Sequence, residues 1–240
     1  VLDIKSTLQY FAMNILLGSW DDYRYLRNNF YLYHNPSDDL IYWIPYDYDN
    51  TFGIDWFNID WSSIDPYTYN VIDNDGRPLT DYLFSLPRYR TILTHFISFY
   101  NNNLVNLDSL NAGLEEYQSS LLSAVQEDYF RTLDYGFTNN DFIDSYGENY
   151  SNQHVKQGIK EFIISRNLSL NQQLIFDDNS PIIYDVDVSH NIAIVDQEIE
   201  ISVAMFNEVE NFHFIYARTD DLEWQTIDMN YMPDSTSKYI

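Results

Sequence analysis

The sequence predicts an α+β chain in which a mostly helical region with one β-hairpin is followed by a partial all-β module. Three observations support this. Residues 80–175 carry apolar side chains at helical spacing, two aromatic runs upstream flank a turn, and the last 60 or so residues alternate between apolar and polar. A polar stretch at 176–181 separates the regions, so we predict domains at residues 1–176 and 181–240.

The first elements are a helix and a hairpin. We predict a helix over residues 3–17, because Asp3 is a typical capping residue and Gly18 a typical helix stop. Aromatic and β-branched residues then fill 29–34 and 40–46, and a polar turn of about five residues separates them. This pattern predicts a β-hairpin.

Residues 50–80 have no regular period and predict a long loop, a kind of segment that tends to be functional. Within it, Asp73–Gly76 fails the spacing of a calcium-binding loop, so we interpret it as a turn. Three longer helices are predicted next, around residues 82–100, 110–125 and 154–174.

The C-terminal region predicts strands. About 60 residues are too few for a complete β-sandwich of about 100. We therefore predict a truncated module similar to an immunoglobulin or fibronectin domain. Its strand-like runs are Ile182–Val188, Ile199–Phe206, Phe212–Ala217 and Trp224–Met229.

Composition limits the function classes. Asp and Glu number 37 against 12 Lys and Arg, for a formal net charge of −25, which disfavours binding to nucleic acid or to anionic membranes. The chain has no Cys, so disulfides and thiolate sites are excluded, and this suits a bacterial exported protein. No apolar run reaches the roughly 20 residues of a membrane-spanning helix.

Four oxygen-bearing side chains are candidates for one functional site. Asp21 lies in the loop before the hairpin, Asn29 opens its first strand, and Asp47 and Asp49 follow its second strand. Strand alternation would place Asp47 and Asp49 on one side, and a hairpin brings its two outer ends together. Carboxylate and amide oxygens suit a hard cation such as Mg²⁺. Spacing alone does not distinguish Asp21 from Asp22.

Protein kinases use this order of parts, an Asp, an Asn and a second Asp after a hairpin, to hold an acceptor hydroxyl and Mg²⁺. The tracts Gly18–Pro36 and Tyr42–Gly53 resemble the spore-coat CotH kinase family, with supporting similarity at Gly158–Leu174, and the resemblance spans roughly residues 1–175. It implies a kinase-like C-lobe that uses ATP and Mg²⁺ to phosphorylate protein Ser or Thr hydroxyls. It also implies a secreted or cell-surface bacterial protein.

The resemblance further implies roles for the candidate residues. Asp21 would be the catalytic base, and Asn29, Asp47 and Asp49 would bind the metal. Asn28 is an alternative to Asn29.

The sequence departs from the family pattern at its start. The nucleotide-holding N-lobe of the family is expected before Val1, and the chain has no glycine-rich phosphate loop, so its nucleotide-binding residues stay unassigned. Both ends look like cuts, and we expect the fragment to be inactive alone. The alternative function is a non-catalytic, metal-binding scaffold or adhesin module of an exported protein. A third interpretation, a polysaccharide-active protein, depends on Trp and Tyr residues beside carboxylates.

Overall fold

The structure, a computed structural model, describes residues 1–69, 76–177, 181–190, 194, 196–207, 213–216 and 224–229. The chain divides into two compact units, Val1–Phe176 and Asp177–Ile240.

The elements are helices in the first unit, one hairpin between them, and strands in the second unit. The helices are α1 (Ile4–Leu17), α2 (Pro78–Ser85), α3 (Pro87–Asn103), α4 (Leu107–Glu127), α5 (Arg131–Asp134), α6 (Asn139–Asp144) and α7 (Ile159–Gln173). The strands are β1 (Phe30–Asn35), β2 (Leu40–Pro45), β3 (Ile182–Val188), β4 (Ile201–Phe206), β5 (His213–Tyr216) and β6 (Gln225–Asp228).

Helix α1 is the centre of the first unit, and its predicted ends are confirmed. The Asp3 carboxylate accepts a hydrogen bond from the Ser6 backbone N–H at 2.6 Å, and Gly18 ends the helix in a left-handed conformation with φ 66°. Eight of the fourteen α1 residues are buried, because the helix packs against β2, α3 and α7. Such a helix is a rigid base for the segments attached to its ends.

The predicted hairpin is confirmed, with antiparallel pairing from Phe30 opposite Pro45 to Asn35 opposite Leu40. An aromatic cluster holds it on α1. Trp43 is 7% exposed and its ring stacks on that of Tyr10 with 5.3 Å between centroids. The outer ends of both strands are thereby fixed relative to α1.

Three buried arginines bind main-chain carbonyl groups, most of which lie in segments without regular secondary structure. Arg24, Arg77 and Arg166 are at most 3% exposed, and each donates to main-chain carbonyl groups. Burial lowers the pKa of Arg24 and of Arg166 to about 10, yet both remain cations at neutral pH. The carbonyl groups belong to Pro66 and Tyr67 for Arg24, to Tyr23, Arg24 and Tyr25 for Arg77, and to Ile15, Ser62 and Ile64 for Arg166.

The prediction that a helix begins at His154 is wrong. The backbone there pairs with the loop after the hairpin instead: Asp55 N–H donates to the His154 carbonyl at 2.7 Å, and Lys156 N–H donates to the Gly53 carbonyl at 2.9 Å. A tight turn also pairs Asn152 with Val155, so residues 154–156 are not helical and α7 begins only at Ile159. A contact distant in sequence has overridden the local apolar pattern.

The long-loop prediction holds for residues 50–69, which form no helix or strand longer than an isolated bridge. It fails at its end, because α2 begins at Pro78, a residue well suited to the first turn of a helix. Residues 73–75 of the predicted Asp73–Gly76 turn lie outside the described residues.

The described part of the second unit contains two antiparallel pairs, β3 with β4 and β5 with β6. The Tyr184 and Phe206 rings stack across the first pair with 4.4 Å between centroids. The runs predicted at 199–206 and 224–229 contain strands, and the start of the run predicted at Phe212 is outside the described residues. The assignment to an immunoglobulin-like module remains a prediction.

Candidate functional site

The Asp21 carboxylate is held by three asparagine amides. Asn28 Nδ2 donates to Asp21 Oδ1 at 3.1 Å. Asn29 Nδ2 and Asn50 Nδ2 both donate to Asp21 Oδ2, at 2.9 and 3.3 Å. The structure therefore brings together the loop before the hairpin, the start of β1 and the segment after β2 around one carboxylate.

Asp22 points the opposite way, into the core. It is 2% exposed, and its Oδ1 accepts hydrogen bonds from the backbone N–H groups of Arg24 and Tyr25 at 2.9 and 3.2 Å. Its own carbonyl accepts from Asn28 N–H at 3.2 Å. Asp22 thus closes the loop that leaves Asp21 at the surface beside Asn28.

Both outer ends of the hairpin carry backbone in the left-handed region. Asn29 has φ 48° and Asp47 has φ 54°. Among non-glycine residues, Asn and Asp tolerate this region best. Backbone held in such sparsely populated conformations is enriched at functional sites.

Asp47 and Asp49 lie together, although not for the predicted reason. Strand β2 ends at Pro45, so residues 46–49 are irregular and the expected strand alternation does not apply. The two carboxylates are still close enough to interact. Partial burial raises the pKa of Asp49, and the negative charges of Asp47 and then Asp21 raise it further. The three carboxylates form one electrostatically coupled group.

The site offers oxygen donors to a hard cation. Among the residues that the structure describes, no three His, Cys, Asp or Glu side chains are gathered closely enough to form a metal-binding group as they stand. The donor chemistry nevertheless fits Mg²⁺, since carboxylate and amide oxygens are both ligands for hard ions. Asp47 and Asp49 are exposed and accessible to a cation from solvent.

Asn50 is a site residue that the sequence analysis missed. Its amide contacts the same Asp21 oxygen as Asn29 does. A signal was present, because Asn50 directly follows the acidic pair in a segment already assigned to the site. Asn50 and Asp21 are 29 positions apart in the chain, and a local sequence pattern does not predict a contact between residues so far apart.

A family model described as CotH kinase protein matches residues 1–170. No curated protein matches the chain. The matched range contains α1, the hairpin and every residue of the candidate site.

Proposed function

The chain belongs to the CotH kinase protein family, and we propose that it carries the acceptor-orienting and metal-binding residues of a protein kinase. The proposed reaction transfers the γ-phosphoryl group of ATP to a Ser or Thr hydroxyl of a protein. Family membership supports a kinase-like protein, while the donor, the metal and the acceptor are part of our proposal.

The observation that carries the proposal is the set of amides around Asp21. Both Asp21 oxygens are oriented by Asn28, Asn29 and Asn50, and a carboxylate can accept about four hydrogen bonds, which leaves one acceptor position. We assign that position to the acceptor hydroxyl. Its proton passes to Asp21 as its oxygen bonds to the γ-phosphorus, the bond from that phosphorus to the bridging oxygen breaks, and ADP leaves.

Asp47, Asp49 and the amide oxygen of Asn29 are the proposed Mg²⁺ ligands, with Asn28 as the alternative to Asn29. When bound, Mg²⁺ neutralises charge on the transferred phosphates. We assign the base to Asp21 and not to Asp22, because Asp22 is buried and its oxygens already accept bonds from the protein. A cluster of carboxylates favours a divalent ion at this position.

We place the protein at a bacterial cell surface or outside the cell, in keeping with the surface location of a spore-coat family. The helices that the structure describes are all too short or too polar to span a bilayer. The net charge of −25 supports a protein partner over nucleic acid.

Phosphate transfer by the full-length protein that contains this chain tests the assignment. We expect Asp21→Asn to lower kcat by at least about 100-fold, the usual contribution of a general base. Asp47→Asn should lower activity in a way that excess Mn²⁺ or Mg²⁺ partly restores, since one ligand oxygen is lost. The matched control is Asp187→Asn, which removes an exposed carboxylate of β3 and should leave the rate unchanged.

The result that overturns the proposal is unchanged phosphate transfer in both Asp21→Asn and Asp47→Asn. Mass spectrometry of the acceptor protein identifies the modified residue and checks that it is Ser or Thr. Labelling of the acceptor with the nucleotide moiety in place of phosphate would also contradict the proposed bond cleavage.

A second candidate, a non-catalytic cation-binding scaffold, is favoured by the open position of the cluster, where Asp47 and Asp49 are exposed. Calorimetry distinguishes the two functions. The scaffold predicts Mg²⁺ or Ca²⁺ binding with no nucleotide binding and no phosphate transfer by the full-length protein.

A further inference from the structure

The buried side-chain amide of Asn14 links the segment that carries Asp21 to the segment that carries Asp47 and Asp49. Asn14, on α1, is 1% exposed. Its Nδ2 donates to Asp22 Oδ2 at 2.9 Å, and its Oδ1 accepts a hydrogen bond from the Tyr48 hydroxyl at 2.5 Å. One side chain of helix α1 thus bonds to both segments on the side that faces the core.

The two partners of Asn14 are sequence neighbours of the proposed functional residues. Asp22 follows Asp21 directly, and Tyr48 lies between Asp47 and Asp49. Asp22 and Tyr48 point inward to Asn14, while Asp21 is half-buried and Asp47 and Asp49 are exposed. Moving either inward side chain moves the backbone that carries the outward ones.

The link is polar and shielded from water, so its bonds depend on one another. The main-chain carbonyl of Asn14 accepts a hydrogen bond from the Tyr69 hydroxyl at 3.2 Å, and Asp22 Oδ1 accepts from two backbone N–H groups. Burial raises the pKa of Asp22, while the Asn14 amide and Arg24 oppose that rise. Loss of one member leaves a buried donor or acceptor unsatisfied, which favours a single arrangement of the set.

We infer that Asn14 and Tyr48 are positioning residues that fix the spacing between Asp21 and the Asp47/Asp49 pair. The consequence for cation binding rests on the proposed function, whereas the mechanical coupling of the two segments does not. Neither residue is placed in contact with substrate or metal.

The test uses Tyr48→Phe, which removes only the hydroxyl that reaches Asn14. The matched control is Tyr150→Phe, which removes a hydroxyl that donates to Asp141 at 3.1 Å, outside the site. Hydrogen–deuterium exchange is measured without metal over residues 20–29 and 46–53. Mn²⁺ affinity is measured by electron paramagnetic resonance, and the melting temperature of each variant is recorded.

We expect Tyr48→Phe to speed exchange in both segments and to weaken Mn²⁺ binding about 10-fold, as loss of a residue that orients metal ligands usually does. Tyr150→Phe should speed exchange near residues 138–152 with unchanged Mn²⁺ affinity, at a similar change in melting temperature. This comparison separates positioning from general destabilisation.

If Tyr48→Phe changes hydrogen–deuterium exchange only in residues 46–53 and leaves residues 20–29 unaffected, the inference is overturned whatever the Mn²⁺ affinity of the variant. Coupled exchange in both segments without Mn²⁺ binding by the unmodified protein supports the positioning link and contradicts the metal site. Coupled exchange with equal Mn²⁺ affinity in both variants contradicts the role of the link in cation binding.

Discussion

At the scale of single residues, the direction of one side chain separates the roles of two adjacent aspartates. Asp21 and Asp22 are equivalent in the sequence, and only the folded loop sends Asp22 toward Asn14 and Asp21 toward the surface amides. Residue type predicts oxygen donors near a hairpin, but the side-chain direction is set by backbone geometry distant in the chain. The roles of Asn14 and Asn50 could not be predicted for the same reason.

The raised pKa of Asp49 predicts pH-dependent cation binding. Its pKa in the folded chain lies above 3.8, because partial burial and the charges of Asp47 and Asp21 disfavour the carboxylate. Protons therefore compete with Mn²⁺ over a range that begins near the ordinary Asp value and extends upward. We expect affinity measured by calorimetry to increase from about pH 4 to about pH 7.

Asp49→Asn provides the control for this dependence. It should flatten the increase, since an amide does not titrate in this range, while weakening affinity at neutral pH. A pH profile that is identical with and without the Asp49 carboxyl group would contradict its place in the coupled group. The same coupling predicts that cation binding lowers the pKa of Asp49, which proton release on binding reports.

At the scale of elements, local signals predicted helix α1 and the hairpin because their ends depend on nearby residues. The Asp3 cap lies within the α1 terminus that it defines, and the turn residues lie between the strands that they join. The start of α7 could not be predicted in this way. Residues 154–156 are not helical, because they bond to residues 53–55, which are about a hundred positions earlier.

Gly18 ends helix α1 and also packs against Phe162 of α7, so a substitution there affects both the helix end and the packing. A Cβ there would lie 2.5 Å from Phe162 Cζ, in a backbone conformation with φ 66°. We expect Gly18→Ala to lower the free energy of unfolding by about 2–3 kcal/mol, since strain and overpacking add. Urea unfolding measures the change.

Substitutions at two other glycines separate the contribution of backbone strain from that of overpacking. Gly136 has φ 75° with no atom within 4 Å of an added Cβ, so Gly136→Ala should cost about 1 kcal/mol from backbone strain alone. Gly113 lies within α4, again with open space, and Gly113→Ala should stabilise by about 0.5–1 kcal/mol. Equal effects at Gly18 and Gly136 would show that the Phe162 contact contributes nothing.

At the scale of the whole molecule, a strongly acidic chain buries an apolar core among its described residues. The sequence also contains 12 basic residues, but their number does not reveal that three arginines are buried among carbonyl groups. A buried Arg and an exposed one look alike in sequence. The immunoglobulin-like assignment of the second unit remains a prediction from strand spacing.

The net charge predicts that salt stabilises the folded chain. With 37 acidic against 12 basic residues, repulsion between carboxylates opposes compaction, and monovalent salt screens it over about 10 Å at 0.1 M. We expect the melting temperature to rise by about 3 °C or more between low and moderate NaCl, equivalent to about 1 kcal/mol for a chain of this size.

Replacing Na⁺ by K⁺ at equal ionic strength should give the same shift if screening is the cause. A melting temperature that falls with added salt would mean that attractive ion pairs outweigh the repulsion. Divalent salts are left out of this measurement, because binding at the candidate site would add its own stabilisation.

The guanidinium group of Arg166 has a consequence for synthesis of the chain. It bonds to the Ile64 carbonyl across 102 positions, so the segment around Ile64 leaves the ribosome long before its anchor has been translated. At about 5–20 residues per second, the wait is several seconds or more. During that interval the nascent loop is exposed to proteases and chaperones, and it reaches its final shape only when the last helix of the first unit emerges.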